Sequence, residues 1–212
     1  MRRQRLVIVG AGGYAKSVLD SLDYERLVVH GFIDERRDMR EHMGFPVVAH
    51  SLEELEDPEK FVYFIAIGSN PKRRVWFDRI VEAGLELITV VDRSARVSSM
   101  SELGKGCFVG KLAIVNADVS VGDDVVVNTM ALIEHGCKVG DHANISTKAA
   151  INGDVRVGDG SFIGSSSVVA GQLSIGSWTV VGAGAVVVKD VGSGVTVAGV
   201  PARKIRDEAS FW

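Results

Sequence analysis

The sequence predicts a small Rossmann-like α/β domain over residues 1–90 followed by a parallel β-helix over residues 91–212, on three observations. Seventeen positions spaced six apart, from Val91 to Val187, are all aliphatic. The position four places after each is mostly small, running Ala95, Ser101, Cys107, Ala113 and onward to Ala185. The first 90 residues lack that period and instead alternate short aliphatic runs with amphipathic ones around a glycine loop.

In the N-terminal part, residues 6–9 read as a short buried strand, followed by Gly10-Ala-Gly-Gly-Tyr-Ala-Lys16 and an amphipathic run through Leu22. Residues 28–33 form a second strand ending at Asp34 and Glu35, 52–55 a short helix, and 62–67 a third strand ending at Gly68. A helix with Pro at its start spans 71–83, and 85–90 is a last strand leading into the repeats. This alternation gives a parallel sheet of about four strands. The loop Gly10-x-Gly12-x-x-Ala15 lies between a strand and a helix, where backbone N–H groups at the helix start are free to cradle phosphate. One such loop in so small a sheet has room for one nucleotide, or a sugar attached to one, and not for a dinucleotide. Gly12, Gly13, Tyr14 and Gly68 are the candidate contacts, with Asp34 and Glu35 as acceptors for a base or ribose.

A period of six is neither helical nor that of a long pleated strand; it belongs to hexapeptide repeats. Three hexads close a triangular coil, so each aliphatic residue stacks on the one eighteen places later. The small position faces the same narrow interior. Gly or Asn often follows the aliphatic residue (Gly104, Gly110, Asn116, Gly122, Asn128), as tight corners require. No Pro falls within residues 91–192, as expected where most N–H groups join a ladder between coils.

The apolar share of 46% is ample for a core, and a net charge of −3 without a basic tract argues against a nucleic-acid partner. No apolar run reaches the roughly 18 residues of a membrane span. Cys107 and Cys137 both fall on the inward small position, which predicts buried free thiols and a reducing, cytoplasmic setting.

Six segments together resemble the hexapeptide-repeat acetyltransferases that modify bacterial sugars. They are residues 10–16, Phe32-Ile-Asp-Glu35, Ala66-Ile-Gly-Ser-Asn70, residues 128–141 around Glu134-His135-Gly136-Cys137, Gly182-Ala-Gly-Ala185 and Ala198-Gly-Val-Pro-Ala-Arg203. That family includes sialic acid O-acetyltransferases and N-acetyltransferases of nucleotide-linked 4-amino-4,6-dideoxy sugars. The resemblance implies left-handed coils, a homotrimer, acetyl-CoA as co-substrate, a nucleotide-linked sugar as acceptor and no metal. It implies that His135 is the general base, a task suited to an imidazole near neutral pH. By the same resemblance Asn144, Gly153, Ser165 and Ala183 contact the coenzyme. Asn128, one coil before the histidine, is a candidate for the sugar, or equally a turn residue at the Gly/Asn position of its hexad. Arg203 and Lys204 are candidates for the coenzyme phosphates, or solvated cations on a terminal helix.

The sequence departs from the family in one place. Many relatives have Asp or Glu directly after the histidine, where this chain has Gly136. Glu134 is the nearest substitute, although strand alternation points it elsewhere. An amine acceptor suffers less than a hydroxyl from the loss, because its proton leaves after attack. N-acetylation of an amino sugar is therefore the leading reading, and O-acetylation of a sialic acid-type sugar the alternative. A carbonic-anhydrase-type metal site needs three histidines, and only His135 and His142 lie in the repeats. His30, His42 and His50 read as exposed polar residues, and His142 as a turn residue without a role.

Overall fold

The computed structural model describes residues 3–207. Its N-terminal sheet contains β1 (Gln4–Val9), β2 (Leu27–Ile33), β3 (Glu41–His42), β4 (Phe45–Ala49), β5 (Val62–Ile65) and β6 (Glu86–Leu87). Their order is β3-β4-β2-β1-β5-β6, parallel throughout except for the β3–β4 hairpin. Helix α1 (Gly13–Ser21) joins β1 to β2, and α2 (Asn70–Glu82) joins β5 to β6. On one side of β1, Leu6 and Ile8 pack with Ala15, Val18 and Leu19 of α1. On the other, Val7 and Val9 pack with Trp76, Phe77 and Ile80 of α2. Burial on both faces is why β1 reads as an unbroken aliphatic run.

Three expectations are corrected here. The sheet has six strands, not about four: the hairpin around Met43 and Gly44 was hidden because Pro46 interrupts its second strand. Residues 52–55 are turns, followed by a 3₁₀ turn at Pro58–Lys60. Leu52 and Leu55 are nevertheless buried, so their spacing reflects a loop folded onto the sheet. The run 85–90 is divided, since Val90 already pairs with Phe108 and belongs to the coils.

From Val90 onward, two-residue strands alternate with turns and stack into three flat faces. Face 1 contains Phe108–Val109, Val126–Val127, Asn144–Ile145 and Phe162–Ile163. Face 2 contains Ile114–Val115, Leu132–Ile133 and Ala150–Ile151; face 3 contains Ser120–Val121, Lys138–Val139 and Arg156–Val157. Through Val187 the ladders pair each residue with the one eighteen later, as in Val109↔Val127, Val115↔Ile133 and Val121↔Val139, and the last coil closes after sixteen, as in Val181↔Val197. The aliphatic and small positions fill one continuous interior. Val91 is the exception, 42% exposed on the first coil. Where the small position is Ser161, Ser167 or Thr179, its buried hydroxyl donates to the carbonyl of Gly176, Gly164 or Gly192 respectively, each at 2.7 Å. Cys107 and Cys137 are free and buried, and burial pushes both thiols up, Cys107 to about 12.

The N-terminal domain sits on the outer side of face 1, where Val90, Phe108 and Val126 share a core with Leu6, Ile8 and Phe64. Beside that apolar contact lies a charged staple. Arg73 is 1% exposed and donates from Nε to Asp124 Oδ2 at 3.0 Å, from Nη2 to the His142 carbonyl at 2.7 Å, and from Nη1 to Asn70 Oδ1 at 3.0 Å. The His142 ring lies 3.0 Å from the same Asp124 oxygen, and Asn70 donates to the Gly160 carbonyl at 3.0 Å. The turn residue His142 is thus buried and structural.

Candidate active site

The chain runs from β1 out to β2 on one side and returns to β5 on the other, so the sheet's switch point lies at the C-terminal ends of β1 and β5. The glycine loop and Gly68 stand there. Gly10 has φ +92°, and a Cβ on it would lie 2.8 Å from Ile67 and 3.1 Å from the Ala66 carbonyl, so its bare backbone lets the two loops touch. A Cβ on Gly12, Gly13 or Gly68 would meet nothing within 4 Å. The first glycine serves packing; the other three border open space.

Two of the proposed ligand contacts are already engaged. Asp34 Oδ2 accepts from the Ala11 amide at 2.7 Å and Arg36 Nη2 at 2.9 Å, while Oδ1 accepts from the Arg36 amide at 3.1 Å and Arg36 Nε at 2.7 Å. The Arg36 side chain bonded to it is the main reason its carboxyl falls to about 2. Asp34 therefore holds the loop and clamps Arg36, rather than standing free for a ribose. Arg36 also donates to the Ala11 carbonyl at 3.1 Å, and its half-exposed guanidinium lies across the glycine loop. Glu35 beside it remains exposed. Tyr14 turns away from the crevice: its ring packs edge-on against Phe64 and Phe108, its hydroxyl is buried, and burial raises its phenol well above the usual range. His50, expected as an exposed polar residue, bonds through Nδ1 to the Asp34 carbonyl at 2.7 Å.

His135 stands exposed at the corner between faces 2 and 3. Directly above it is Gly153, where a Cβ would lie 2.6 Å from His135 Cε1 and 2.8 Å from Nε2. The imidazole thus leans into a notch that exists only because residue 153 has no side chain. Gly171, the next residue in that column, keeps it open above. Glu134 turns to the preceding coil, where its Oε2 accepts from Asn116 Nδ2 at 2.9 Å.

The remaining candidates separate into three places. Asn128, Ser165 and Ala183 lie at the corner between faces 1 and 2, where Asn128 Oδ1 accepts from the Thr129 amide at 2.8 Å and Ser165 bonds Ser146 at 2.9 Å. Asn144 is buried on face 1 between Val126, which lies under the N-terminal domain, and Phe162; within one chain it does not border an open groove. Arg203 and Lys204 are exposed on a strand, Arg203–Arg206, rather than on a helix. Among the described residues, no group of three His, Cys, Asp or Glu stands ready to hold a metal ion, and no helix is long and apolar enough to cross a membrane.

Comparison with known proteins adds to this geometry. Residues 5–80 match the PglD N-terminal domain family, and residues 154–189 match the bacterial transferase hexapeptide family of six repeats. The acetyltransferase domain of PglB from Neisseria gonorrhoeae, also solved in complex with acetyl coenzyme A, is 33% identical over 96% of this chain and 100% of that one, with a TM-score of 0.91. The chain belongs to the hexapeptide-repeat sugar acetyltransferases. PerB of Caulobacter crescentus, a perosamine N-acetyltransferase solved with CoA and GDP-perosamine, is 34% identical over 94% of this chain and 96% of that one, with a TM-score of 0.86. WeeI from Acinetobacter baumannii is 26% identical over 94% and 99%, with a TM-score of 0.85.

Sequence reasoning about this acetyltransferase passed over two charged residues at its candidate sites. Arg36 follows Asp34 by two places and needed the structure to be found, because arginine on a loop has no periodic signal. Asp154 follows Gly136 by eighteen, so the coil period alone places it on the same corner.

Proposed function

We propose that the enzyme transfers the acetyl group of acetyl-CoA to the amino group of a nucleotide-linked amino-deoxy sugar, directly and without a covalent enzyme intermediate, with His135 as general base. The observation that carries this reading is the exposed imidazole of His135 held in the notch opened by Gly153. Two relatives, each about a third identical over almost the whole chain, support the donor and the acceptor class: one was solved with acetyl coenzyme A, the other with CoA and GDP-perosamine. The amine attacks the thioester carbonyl, and a C–N bond forms. His135 takes the proton the nitrogen then carries, the C–S bond breaks, and the proton passes to the departing thiolate.

The nucleotide part of the acceptor is assigned to the crevice at Gly12, Gly13 and Gly68, with Arg36 facing its phosphates. That crevice belongs to a domain seated on face 1, whereas His135 projects from the opposite corner of the prism. A homotrimer follows from the same reading: a threefold arrangement sets His135 of one chain against another chain's groove, with the corner of Ser165 and Ala183 lining the coenzyme.

The test is release of free CoA from acetyl-CoA in the presence of UDP-, dTDP- and GDP-linked amino sugars. His135→Ala should lower kcat by roughly 10²–10⁴ while leaving the fold intact. Turnover by His135→Ala equal to wild type, or acetylation of free sugars only, would sink the reading.

A further inference from the structure

We infer that the carboxylate this chain lacks after its histidine is supplied from the next coil by Asp154, which acts as the positioning residue for His135; the inference rests on His135 being the base. Gly136 has φ +67°, and a Cβ built on it would lie 2.2 Å from Asp154 Oδ1. The volume in which the side chain of a residue after the histidine would begin is thus filled by a carboxylate already. Asp154 occupies the next rung of the same corner and has φ 61°, and its amide donates to the His135 carbonyl at 2.9 Å, tying the two corners together. The imidazole rises to Gly153, the residue immediately before Asp154, while the Asp154 carboxylate descends to Gly136, the residue immediately after His135. Ring and carboxylate therefore flank the same corner, each set against the chain neighbour of the other on the adjoining coil. The other acid nearby, Glu134, is bonded to Asn116 on the coil before.

Backbone strain does not bar an aspartate at position 136. Asp118 and Asp154, below and above it on the corner, already hold φ near 60°. What excludes a second carboxylate is the first. A side chain at position 136 would first have to displace the Asp154 carboxylate, whose Oδ1 stands where its Cβ would go. In use, the carboxylate turns to the imidazole nitrogen facing away from the acceptor, fixes its tautomer and stabilises the imidazolium formed during transfer.

The experiment compares Asp154→Asn, Asp154→Gly, Gly136→Asp and the exchange Gly136→Asp/Asp154→Gly, with His135→Ala alongside, by steady-state kinetics and circular dichroism. Asp154→Asn and Asp154→Gly should lower kcat about tenfold to a hundredfold, a fraction of the worth of the base itself, with both KM values unchanged. Gly136→Asp alone should lower kcat because the two carboxylates collide, and the exchange should restore most of the loss. If Asp154→Asn turns over like wild type while His135→Ala does not, the positioning role is overturned and the base assignment stands. An active His135→Ala overturns the base assignment itself. A folded exchange variant no better than Asp154→Gly also overturns the inference, since it shows that a carboxylate at this corner is not what the base requires.

Discussion

His135 and His142 lie seven residues apart on successive corners of one coil, and the same repeat gives them opposite fates. At the corner between faces 3 and 1, His142 is covered by α2, is paired with Asp124, and has Phe77 edge-on to its ring at 5.2 Å. At the corner between faces 2 and 3, His135 is exposed, no described residue of the N-terminal domain packs over it, and its ring leans into a glycine notch. A hexapeptide coil determines which side chains point outward; what then covers each corner decides whether an outward histidine becomes structure or chemistry.

The comparison breaks most severely if the staple over His142 is removed. Arg73→Ala leaves Asp124 buried without its cation, and stability should fall by about 3–5 kcal/mol in urea unfolding, with the domains separating first. His142→Ala is the milder cut, because Arg73 still serves Asp124. It should lower stability by about 1–3 kcal/mol and leave kcat unchanged. That is the reverse of His135→Ala, and a large rate loss in His142→Ala would erase the distinction between the corners.

The smallest effect concerns pH and the nucleotide crevice. Asp34 titrates near 2 in the fold against 3.8 for an unperturbed aspartate, so its ionised form is favoured by folding. The stabilisation is fully present above 3.8 and is lost as pH falls towards 2. The melting temperature of Asp34→Asn should therefore start lower at neutral pH and fall less steeply than that of wild type across this acid window.

The β-helix was legible almost residue by residue, because its period of eighteen is imposed by backbone ladders and needs no long-range information. Val109, Val127 and Ile145 stack as the repeat requires. The N-terminal sheet was legible in its glycine loop and central strands, while the Glu41–His42 hairpin was not, since two-residue pairing around Pro46 leaves no pattern. At the candidate site a family motif singles out His135, and the structure leaves that side chain exposed. The site was not legible at Tyr14 or Asn144, which are covered by neighbours distant in sequence, nor at Asp34, which is engaged by Arg36 two places on and by the Ala11 amide. Tyr14 and Asn144 share one cause: each depends on a surface brought in by the tertiary fold, which no local spacing records.

The far end of the prism has a consequence for behaviour in concentrated solution. A stack of parallel coils ends in unsatisfied strand edges, which invite another molecule to continue the ladder and so seed fibres. On face 1 the last parallel strand, Thr196–Ala198, is instead followed by an antiparallel strand, Arg203–Arg206. All four of its residues are exposed, and three of them, Arg203, Lys204 and Arg206, are cations. A reversed, positively charged last strand repels its own copy and offers the wrong polarity for another coil. The strand that includes Arg203 and Lys204 thereby gives this end of face 1 a charged edge instead of a bare parallel rung.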